Sequence, residues 1–306
     1  MSPVRYAPEP LRTAFVEAPA EAIANAPLPG TRLWWLALAV PDSVPAPEPG
    51  QFAMVTPPGA GSAGLVLARP FSIARTWIAD GRRVFGILYT RVGRGTDLMT
   101  RSPREGWTVL APLGRGFPLD GRGAAILVGG GRGTAPLVML AERLEARGRA
   151  VHFLVGARSG ADFAGPAEMG ATLARTRVWE ATEDGSRGRR GRVLELLMEE
   201  PELAGALTAP GASLHACGPH GLLAAVGALG AAGGVPAYTS IEAHMACGTG
   251  ICRSCVVPRP AGGPKTRPGM NPDYLLCCLE GPVVPAECVD WTRDRETVAT
   301  HGGGQS

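Results

Sequence analysis

Six of the seven cysteines in this chain lie after residue 240, and three of them share one short loop. Cys247, Cys252 and Cys255 are separated by four and by two residues. This spacing, completed by a distant fourth cysteine, is the plant-type pattern of a 2Fe–2S cluster. Gly248 and Gly250 lie inside the loop, where glycine permits unusual backbone angles and a close approach of N–H groups to the cluster. The spacing therefore predicts a small C-terminal 2Fe–2S domain.

The fourth thiolate has two adjacent candidates, Cys277 and Cys278. Consecutive side chains in an extended segment point in opposite directions, so only one of the two should face the cluster. A zinc site or chance cysteines are the alternatives, but zinc sites commonly use two Cys-x2-Cys pairs and only one is present. Cys288 is predicted to be a spare thiol. Arg253, inside the loop, is expected to be a solvated charge, or else a charge that raises the cluster potential or docks a partner.

Length and charge exclude several classes of protein. The 306 residues suggest two or three domains. The net charge is only +3 and the arginines are scattered, which argues against a dedicated nucleic-acid surface. The longest apolar run near the start, Leu33–Val40, is too short to span a membrane, and no signal peptide is evident. We therefore expect a cytoplasmic protein whose cysteines bind metal rather than form disulfides.

The order of apolar stretches predicts the domains. Residues 1–30 carry little structural signal and are interpreted as an N-terminal leader. In residues 31–122, short strand-like stretches separated by Pro/Gly turns predict an antiparallel β-barrel. Residues 123–237 alternate strand and helix patterns, which is typical of a doubly wound parallel α/β sheet. The cysteine domain is predicted at 238–290 and a flexible tail at 291–306.

A glycine-rich turn in the α/β region is a candidate nucleotide site. Gly130, Gly131, Gly133 and Thr134 lie between a strand and a helix, where a pyrophosphate can approach backbone amides at the positive helix end. The strict GxGxxG fingerprint fails, because Thr134 occupies its third glycine position, and no acidic residue ends the next strand. Arg158 stands there instead, either to bind a phosphate or simply as an exposed charge.

Three further segments are candidate sites. Cys217, Gly218 and Pro219 follow the last predicted strand, and a small cysteine there could border a nicotinamide ring or be an ordinary buried thiol. In the barrel, RPFS at 69–72 offers an Arg fork and a Ser hydroxyl suited to phosphate, with an aromatic that can cover a ring. GRGT at 93–96 offers a second backbone nest for a pyrophosphate, or a plain hairpin turn.

Taken together and in this order, the motifs resemble the electron transfer subunit of heterodimeric dihydroorotate dehydrogenase, within the ferredoxin reductase-like superfamily. The resemblance covers roughly residues 30 to 285. The matching stretches are PGQF, ARPFSI, LYTRVGRGT, LAPLGRGFPL, VGGGRGTAP, ATEDGS, ACGPHGLL, EAHMACGTGICRSCVV and CLEGPVV. The resemblance implies an FAD-binding β-barrel, an NAD-binding α/β domain and a C-terminal 2Fe–2S domain.

The resemblance also assigns site residues. In the family, the fourth cluster cysteine stands before a two-residue spacer and Gly-Pro-Val, which selects Cys278 over Cys277 as the ligand beside Cys247, Cys252 and Cys255. NAD is the implied nucleotide, although Arg158 and Arg187 could meet the 2′-phosphate of NADP. The residues implied to contact FAD are Arg69, Pro70, Phe71, Ser72, Leu88, Tyr89, Thr90, Gly95 and Thr96.

The implied activity is electron transfer within pyrimidine biosynthesis. Nicotinamide exchanges two electrons as hydride, a 2Fe–2S cluster exchanges one, and a flavin between them does both, so the protein supplies binding and orientation rather than acids and bases. The implied partner is a catalytic flavoprotein subunit, in a heterotetramer. The alternatives are an NAD(P)H reductase serving ferredoxin or a sulfur-metabolising enzyme, and a cofactor-free regulatory subunit. The 22 residues between Cys255 and Cys278 exceed the expected interval, and we expect them to reshape the docking face.

Overall fold

The computed structural model describes residues 14–264 and 271–294. Its first sheet has seven antiparallel strands in the order β4-β3-β7-β1-β2-β6-β5, which confirms the predicted antiparallel barrel. Its elements are β1 (Val16–Pro27), β2 (Leu33–Val40), β3 (Phe52–Thr56), β4 (Arg69–Ser72), β5 (Arg75–Ala79), β6 (Arg82–Thr90), α1 (Arg94–Arg101) and β7 (Trp107–Leu113).

Strand β1 corrects the prediction of a leader at residues 1–30. It pairs with both β2 and β7 and therefore lies in the middle of the barrel sheet. The sequence VEAPAEAIANAP has only two β-branched side chains, Val16 and Ile23, and no aromatic one, whereas such side chains usually mark strands. It buries Ala18, Ala20 and Ala22 instead, at the period of two that a strand requires. Residues 1–13 of the predicted leader lie outside the described residues.

The second sheet has the order β11-β10-β9-β8-β12-β13-β16. Its first six strands are parallel, which confirms the doubly wound domain, and β16 joins antiparallel to β13. The elements are β8 (Ala125–Gly130), α2 (Ala135–Ala146), β9 (Val151–Ala157), β10 (Arg177–Thr182), β11 (Arg189–Arg190), α3 (Glu195–Glu199), α4 (Pro201–Thr208), β12 (Ser213–Cys217), α5 (His220–Gly233), β13 (Ala237–Ser240), β14 (Val256–Pro258), β15 (Tyr274–Leu276), α6 (Cys277–Glu280) and β16 (Val283–Pro285).

Two local predictions differ from the structure. The helix expected between β9 and β10 is replaced by turns and one 3₁₀ turn, Gly160–Asp162. Gly165, Pro166 and Gly170 interrupt that segment, and such residues disfavour a helix interior.

The boundary predicted at residue 238 also cuts through β13, and β16 from the predicted cluster domain completes the parallel domain's sheet. Of the predicted tail, residues 291–294 form one helical turn and the rest lies outside the described residues.

Polar contacts between the barrel and the parallel domain fix the position of one relative to the other. Arg75 of β5 donates from Nε to Glu142 of α2 at 2.8 Å and from Nη1 to the carbonyl of Met169 at 3.1 Å. The backbone N–H of Met139 donates to the carbonyl of Ala74 at 3.0 Å. These hydrogen bonds therefore hold the barrel against the helix layer of the parallel domain. Within residues 14–264 and 271–294, no helix has the length and apolar character needed to cross a membrane.

Candidate functional site

A cavity of about 580 Å³ lies between the barrel and the carboxyl ends of the parallel strands. This is where open α/β sheets bind ligands. Nine residues that the family resemblance assigns to FAD line its barrel side: Arg69, Pro70, Phe71, Ser72, Leu88, Tyr89, Thr90, Gly95 and Thr96. The structure thus brings β4, the end of β6 and the start of α1 together around one space.

The aromatic part of the barrel wall is held rigidly. Phe71 and Tyr89 pack edge to face, with ring centroids 6.2 Å apart. The hydroxyl of Tyr89 donates to Oδ1 of Asn25 at 2.8 Å. Burial raises the pKa of the Tyr89 hydroxyl well above its usual range, so it stays protonated. Asn25 belongs to β1, which explains why the sequence analysis missed it.

The N-terminus of α1 forms the polar part of this wall. The Thr96 hydroxyl accepts from the N–H groups of Val92 at 2.9 Å and of Gly93 at 3.2 Å, so it shapes the turn itself. Arg69 donates to the carbonyl of Leu67 at 2.7 Å and lies so close to Gly95 that a Cβ there would overlap its guanidinium. An arginine beside the positive end of a helix is suited to a phosphate group.

The parallel sheet supplies the opposite wall. Cys217 lies at the carboxyl end of β12 and borders the cavity, with only 2% of its surface exposed. Burial raises the pKa of the Cys217 thiol well above its usual range, so it remains a neutral, compact side chain rather than a nucleophile. The segment after β13 also lines this wall, from Ser240 to Met245. That segment carries no recognisable motif, although the rule that places Cys217 at a strand end applies equally to Ser240.

The glycine turn after β8 mainly serves packing. A Cβ on Gly133 would overlap the backbone of Cys217, and one on Gly130 would lie 2.8 Å from Cδ of Pro219. These glycines let the turn lie directly against the segment that contains Gly218. In the described part of the chain, Gly130, Gly131, Gly133, Thr134, Gly218 and Pro219 are not among the cavity-lining residues. Their assignment to the nucleotide stays a prediction.

The two arginines considered for a 2′-phosphate have different surroundings. Arg158 is exposed where β9 ends. The guanidinium of Arg187 pairs with Glu168 at 2.7 Å and Glu180 at 2.8 Å, and lies 3.9 Å from the centroid of the Phe163 ring. The bonds to Glu180 and then to Glu168 raise the pKa of Arg187 above its usual range. Arg187 is therefore already neutralised by protein carboxylates, which disfavours a role in binding NADP.

The cysteine loop brings two of its predicted ligands into contact. Sγ of Cys255 lies 3.2 Å from Sγ of Cys278, and the N–H of Cys278 donates to Sγ of Cys255 at 3.4 Å. The neighbouring Cys277 is fully buried and its Sγ faces the carbonyl of Ile241 at 3.5 Å. Cys278 thus faces the loop while Cys277 faces the core, which favours Cys278 as the fourth ligand. Cys288 is also a buried thiol.

Hydrogen bonds lower the pKa of two of the thiols, from backbone N–H groups at Cys247 and first of all from the Cys278 thiol at Cys255. Burial opposes ionisation of Cys247, but N–H donors from Cys252 and Thr249, each 3.4 Å from its Sγ, lower its pKa to about 6. The hydrogen bond with Cys278 lowers the pKa of Cys255 to about 7 and raises that of Cys278. Thiolates are the form that binds metal, so the loop presents sulfur in a metal-binding state near neutral pH.

The two glycines of the loop hold it against its neighbours. Gly248 has a φ of 72° and Gly250 a φ of 82°, both in the left-handed region. A Cβ on Gly248 would lie 2.6 Å from Cγ of Met54, and one on Gly250 would overlap Leu279. The loop therefore packs against β3 of the barrel on one side and against α6 on the other.

The donor set fits a two-iron cluster. Within the described residues, no three His, Cys, Asp or Glu side chains converge on a point where a single ion would bind. A 2Fe–2S cluster has a different requirement, namely four thiolates distributed over two irons with N–H groups directed at sulfur. The contact between Cys255 and Cys278 and the N–H groups around Cys247 agree with that description for three of the four thiols. The fourth, Cys252, is exposed, and its Sγ lies 3.2 Å from Oγ of Ser254.

Two family models match the chain. The one described as the iron-sulfur cluster binding domain of dihydroorotate dehydrogenase B matches residues 242–290. The one described as the oxidoreductase NAD-binding domain matches residues 127–227. Together they cover the cysteine loop and most of the parallel sheet.

Curated relatives extend the similarity over the barrel. The electron transfer subunit of dihydroorotate dehydrogenase B (NAD(+)) from Geobacillus thermodenitrificans is 37% identical over 243 residues, which is 78% of this chain and 85% of the relative. The homolog of that subunit from Aquifex aeolicus is 35% identical over 278 residues, which is 89% of this chain and 98% of the relative.

Solved structures share the fold. An NADH-dependent reduced ferredoxin-NADP oxidoreductase superposes with a TM-score of 0.74 at 22% identity, covering 92% of this chain and 93% of its own. A ferredoxin NADP+ reductase from Neisseria gonorrhoeae with bound FAD and NADP gives a TM-score of 0.53 at 17% identity, covering 69% and 88%.

Proposed function

The chain belongs to the family of dihydroorotate dehydrogenase B electron transfer subunits, and from this membership we propose that it carries electrons between NAD and a catalytic flavoprotein partner. FAD and a 2Fe–2S cluster are the carriers within the chain. A bound nicotinamide exchanges two electrons as hydride, a flavin exchanges one or two, and a 2Fe–2S cluster exchanges one. The protein itself must hold these groups close together and keep water from the space between them.

The observation that carries this proposal is the shared wall between the cavity and the cysteine loop. Met245 lines the cavity and stands two residues before Cys247. Gly248, next in the loop, packs on Met54 of β3, and Phe52 of the same strand lines the cavity. The strand β3 and the segment before Cys247 therefore border both sites, an arrangement that would keep the path for electrons short.

The barrel wall would hold FAD. Arg69 and the N–H groups at the start of α1 offer the positive charge that a pyrophosphate requires, and Phe71 and Tyr89 offer flat apolar faces. The full proposed contact set is Arg69, Pro70, Phe71, Ser72, Leu88, Tyr89, Thr90, Gly95 and Thr96. The protonated Tyr89 is a hydrogen-bond donor rather than a base.

The parallel sheet would hold NAD at its carboxyl edge. Cys217 is small and its thiol is neutral, so a nicotinamide ring could lie against this side chain without meeting a thiolate. NAD is proposed rather than NADP because the family relationship favours NAD. Arg187 is already paired with Glu168 and Glu180, which leaves the exposed Arg158 as the arginine that could meet a 2′-phosphate. The proposed nucleotide contacts are Gly130, Gly131, Gly133, Thr134, Cys217, Gly218 and Pro219.

The cluster would be held by Cys247, Cys252, Cys255 and Cys278, with Cys255 and Cys278 on one iron because their sulfurs are in contact. The outer side of the loop is exposed at Cys252 and at Ile251, of which 84% is accessible. We propose this side as the docking face for the catalytic subunit, in a heterotetramer.

Anaerobic purification with a dihydroorotate-oxidising flavoprotein from the same organism tests the proposal. The chain alone should carry one flavin and two irons and should reduce an artificial acceptor with NADH in preference to NADPH. The mixture should reduce NAD with dihydroorotate and elute as a heterotetramer. A chain that purifies without flavin and iron, or a mixture that reduces no NAD, would contradict it.

A further inference from the structure

Arg259 and Glu280 form an ion pair inside the cysteine region. Their side chains are only 2% and 1% exposed, and Nη2 of Arg259 donates to Oε2 of Glu280. Arginine and glutamate are seldom buried so completely. A buried ion pair is also a weak source of stability, because the loss of hydration offsets most of the attraction. Its place beside the cluster ligands therefore calls for another explanation.

Arg259 closes the base of the long segment between the third and fourth cysteines. It stands four residues after Cys255, at the end of β14. Its backbone N–H donates to the carbonyl of Asp273 at 2.9 Å, and its Nε donates to that of Tyr274 at 3.2 Å. Its Nη1 donates to the carbonyl of Pro264 at 3.1 Å. The hydrogen bonds of Arg259 thus join the two ends of the segment, and none of them depends on the number of residues between those ends.

Glu280 holds the short helix that contains the fourth cysteine. It is the last residue of α6, and Oε2 binds Arg259 while Oε1 accepts from the N–H of Leu276 at 3.1 Å. One carboxylate therefore contacts the residue before α6 and a neighbouring strand at the same time. Such a contact fixes the rotation of this single turn of helix.

The rotation of α6 decides which thiol faces Cys255. Adjacent residues on a helix differ by about 100° in direction. A turn of that size would replace Cys278 by Cys277, the thiol that now faces the carbonyl of Ile241. Both residues are cysteines, so sequence alone does not prevent the exchange.

We propose that Arg259 and Glu280 are a positioning pair that sets the rotation of α6, so that Cys278 rather than Cys277 meets Cys255. The proposal rests on the proposed function, since it assumes that these thiols hold the cluster. It also explains how the chain accommodates the long interval between Cys255 and Cys278. Because the pair joins the two ends of that segment, the position of the fourth ligand does not depend on the length of the segment.

The test compares three variants of the full-length holoprotein. Glu280→Gln leaves the guanidinium buried without its counter-ion, so both thermal stability and cluster lifetime should fall. The double variant Arg259→Met/Glu280→Met removes both charges together and should be more stable than Glu280→Gln, although the carbonyls of Tyr274 and Pro264 lose their donor. Glu168→Gln weakens a remote pair with Arg187 and serves as the control.

The readouts separate positioning from stability. Cluster lifetime under a chelator is followed by visible absorption, at a temperature where every variant is folded, and the reduced cluster is examined by electron paramagnetic resonance. Loss of an outer contact to a metal ligand costs about tenfold in metal retention. We expect about that loss of lifetime, with a changed spectrum, in Glu280→Gln and still in the double variant, and no change in Glu168→Gln.

Two outcomes would overturn the proposal. If the double variant regains the wild-type lifetime and spectrum together with stability, the pair is structural only and the proposal alone fails. If the wild-type protein holds no iron, the proposed function fails and this proposal fails with it.

Discussion

The cavity is lined by seven separate stretches of sequence between residues 52 and 282, whereas three of the four cluster cysteines fall within residues 247–255. The cavity therefore depends on how two sheets pack, and the cysteine loop depends on its own backbone angles. The two sites nevertheless meet at β3, where Phe52 lines the cavity and Met54 packs against Gly248 of the cysteine loop. Because of this difference, a substitution on one side should disturb only the site on that side. A substitution in the shared wall should disturb both sites.

Cys278→Ala should have the largest effect and the most local one. It removes a thiolate in contact with Cys255, so iron content should fall below detection while flavin content stays at the wild-type level. Cys277→Ala is the matched control, because it changes the adjacent thiol that faces Ile241, and it should retain iron. Iron and flavin analysis of both proteins checks this. Loss of iron in Cys277→Ala with retention in Cys278→Ala would reverse the assignment.

Gly248→Ala should affect both sites. Its Cβ would lie 2.6 Å from Met54 and 3.1 Å from Leu113, in a backbone that already has a positive φ. We expect about a tenfold shorter cluster lifetime, as for other disturbed metal surroundings, together with a weaker flavin complex. Gly262→Ala has the same strain, with a φ of 70°, but no described atom lies within 4 Å of its Cβ. If Gly262→Ala shortened the lifetime equally, strain alone would be the cause.

Gly95→Ala should act on the cavity only. Its Cβ would displace the Arg69 guanidinium from the start of α1, so flavin affinity should fall by about tenfold, or about 1.4 kcal/mol. Iron content should not change. Gly205→Ala, also in a helix and with no described atom within 4 Å of its Cβ, is the control. Flavin titration of the deflavinated proteins measures the effect, and equal affinities in all three would show that Arg69 does not bind the cofactor.

Acid should have a smaller effect that does not distinguish the two sites. Burial, and then the charge of Arg149, lowers the pKa of His215 to about 3. Because the unfolded chain binds this proton near pH 6.5, the contribution to stability is complete above that pH and is lost as the pH falls toward 3. We expect the free energy of unfolding to fall by about 1 kcal/mol per pH unit more steeply than in His215→Gln. Parallel slopes in urea titrations at pH 6 and pH 4 would contradict this.

The sequence predicted features that depend on residues close together in the chain. It did not predict features that form only when distant segments pack together. The cysteine spacing located the loop because a cluster constrains residues close in sequence. The strand β1 was missed because it fills its side of the barrel with Ala18, Ala20 and Ala22 rather than with larger side chains. The glycines after β8 were interpreted as a ligand cradle, although Gly133 is required by the backbone of Cys217, which only the folded sheet brings near. The pairing of Arg259 with Glu280 spans 21 residues and leaves no periodic signal.

The antiparallel strand β16 has a consequence for how this chain can be divided. It hydrogen-bonds to β13 along Tyr238, Thr239 and Ser240 and so covers that edge of the parallel sheet. Uncovered edges of sheets are templates for self-association. A fragment that ends at residue 240 would expose β13 and should aggregate, although it contains both nucleotide-binding regions. The strand that follows the proposed fourth cluster ligand would thus also protect the nucleotide domain from self-association.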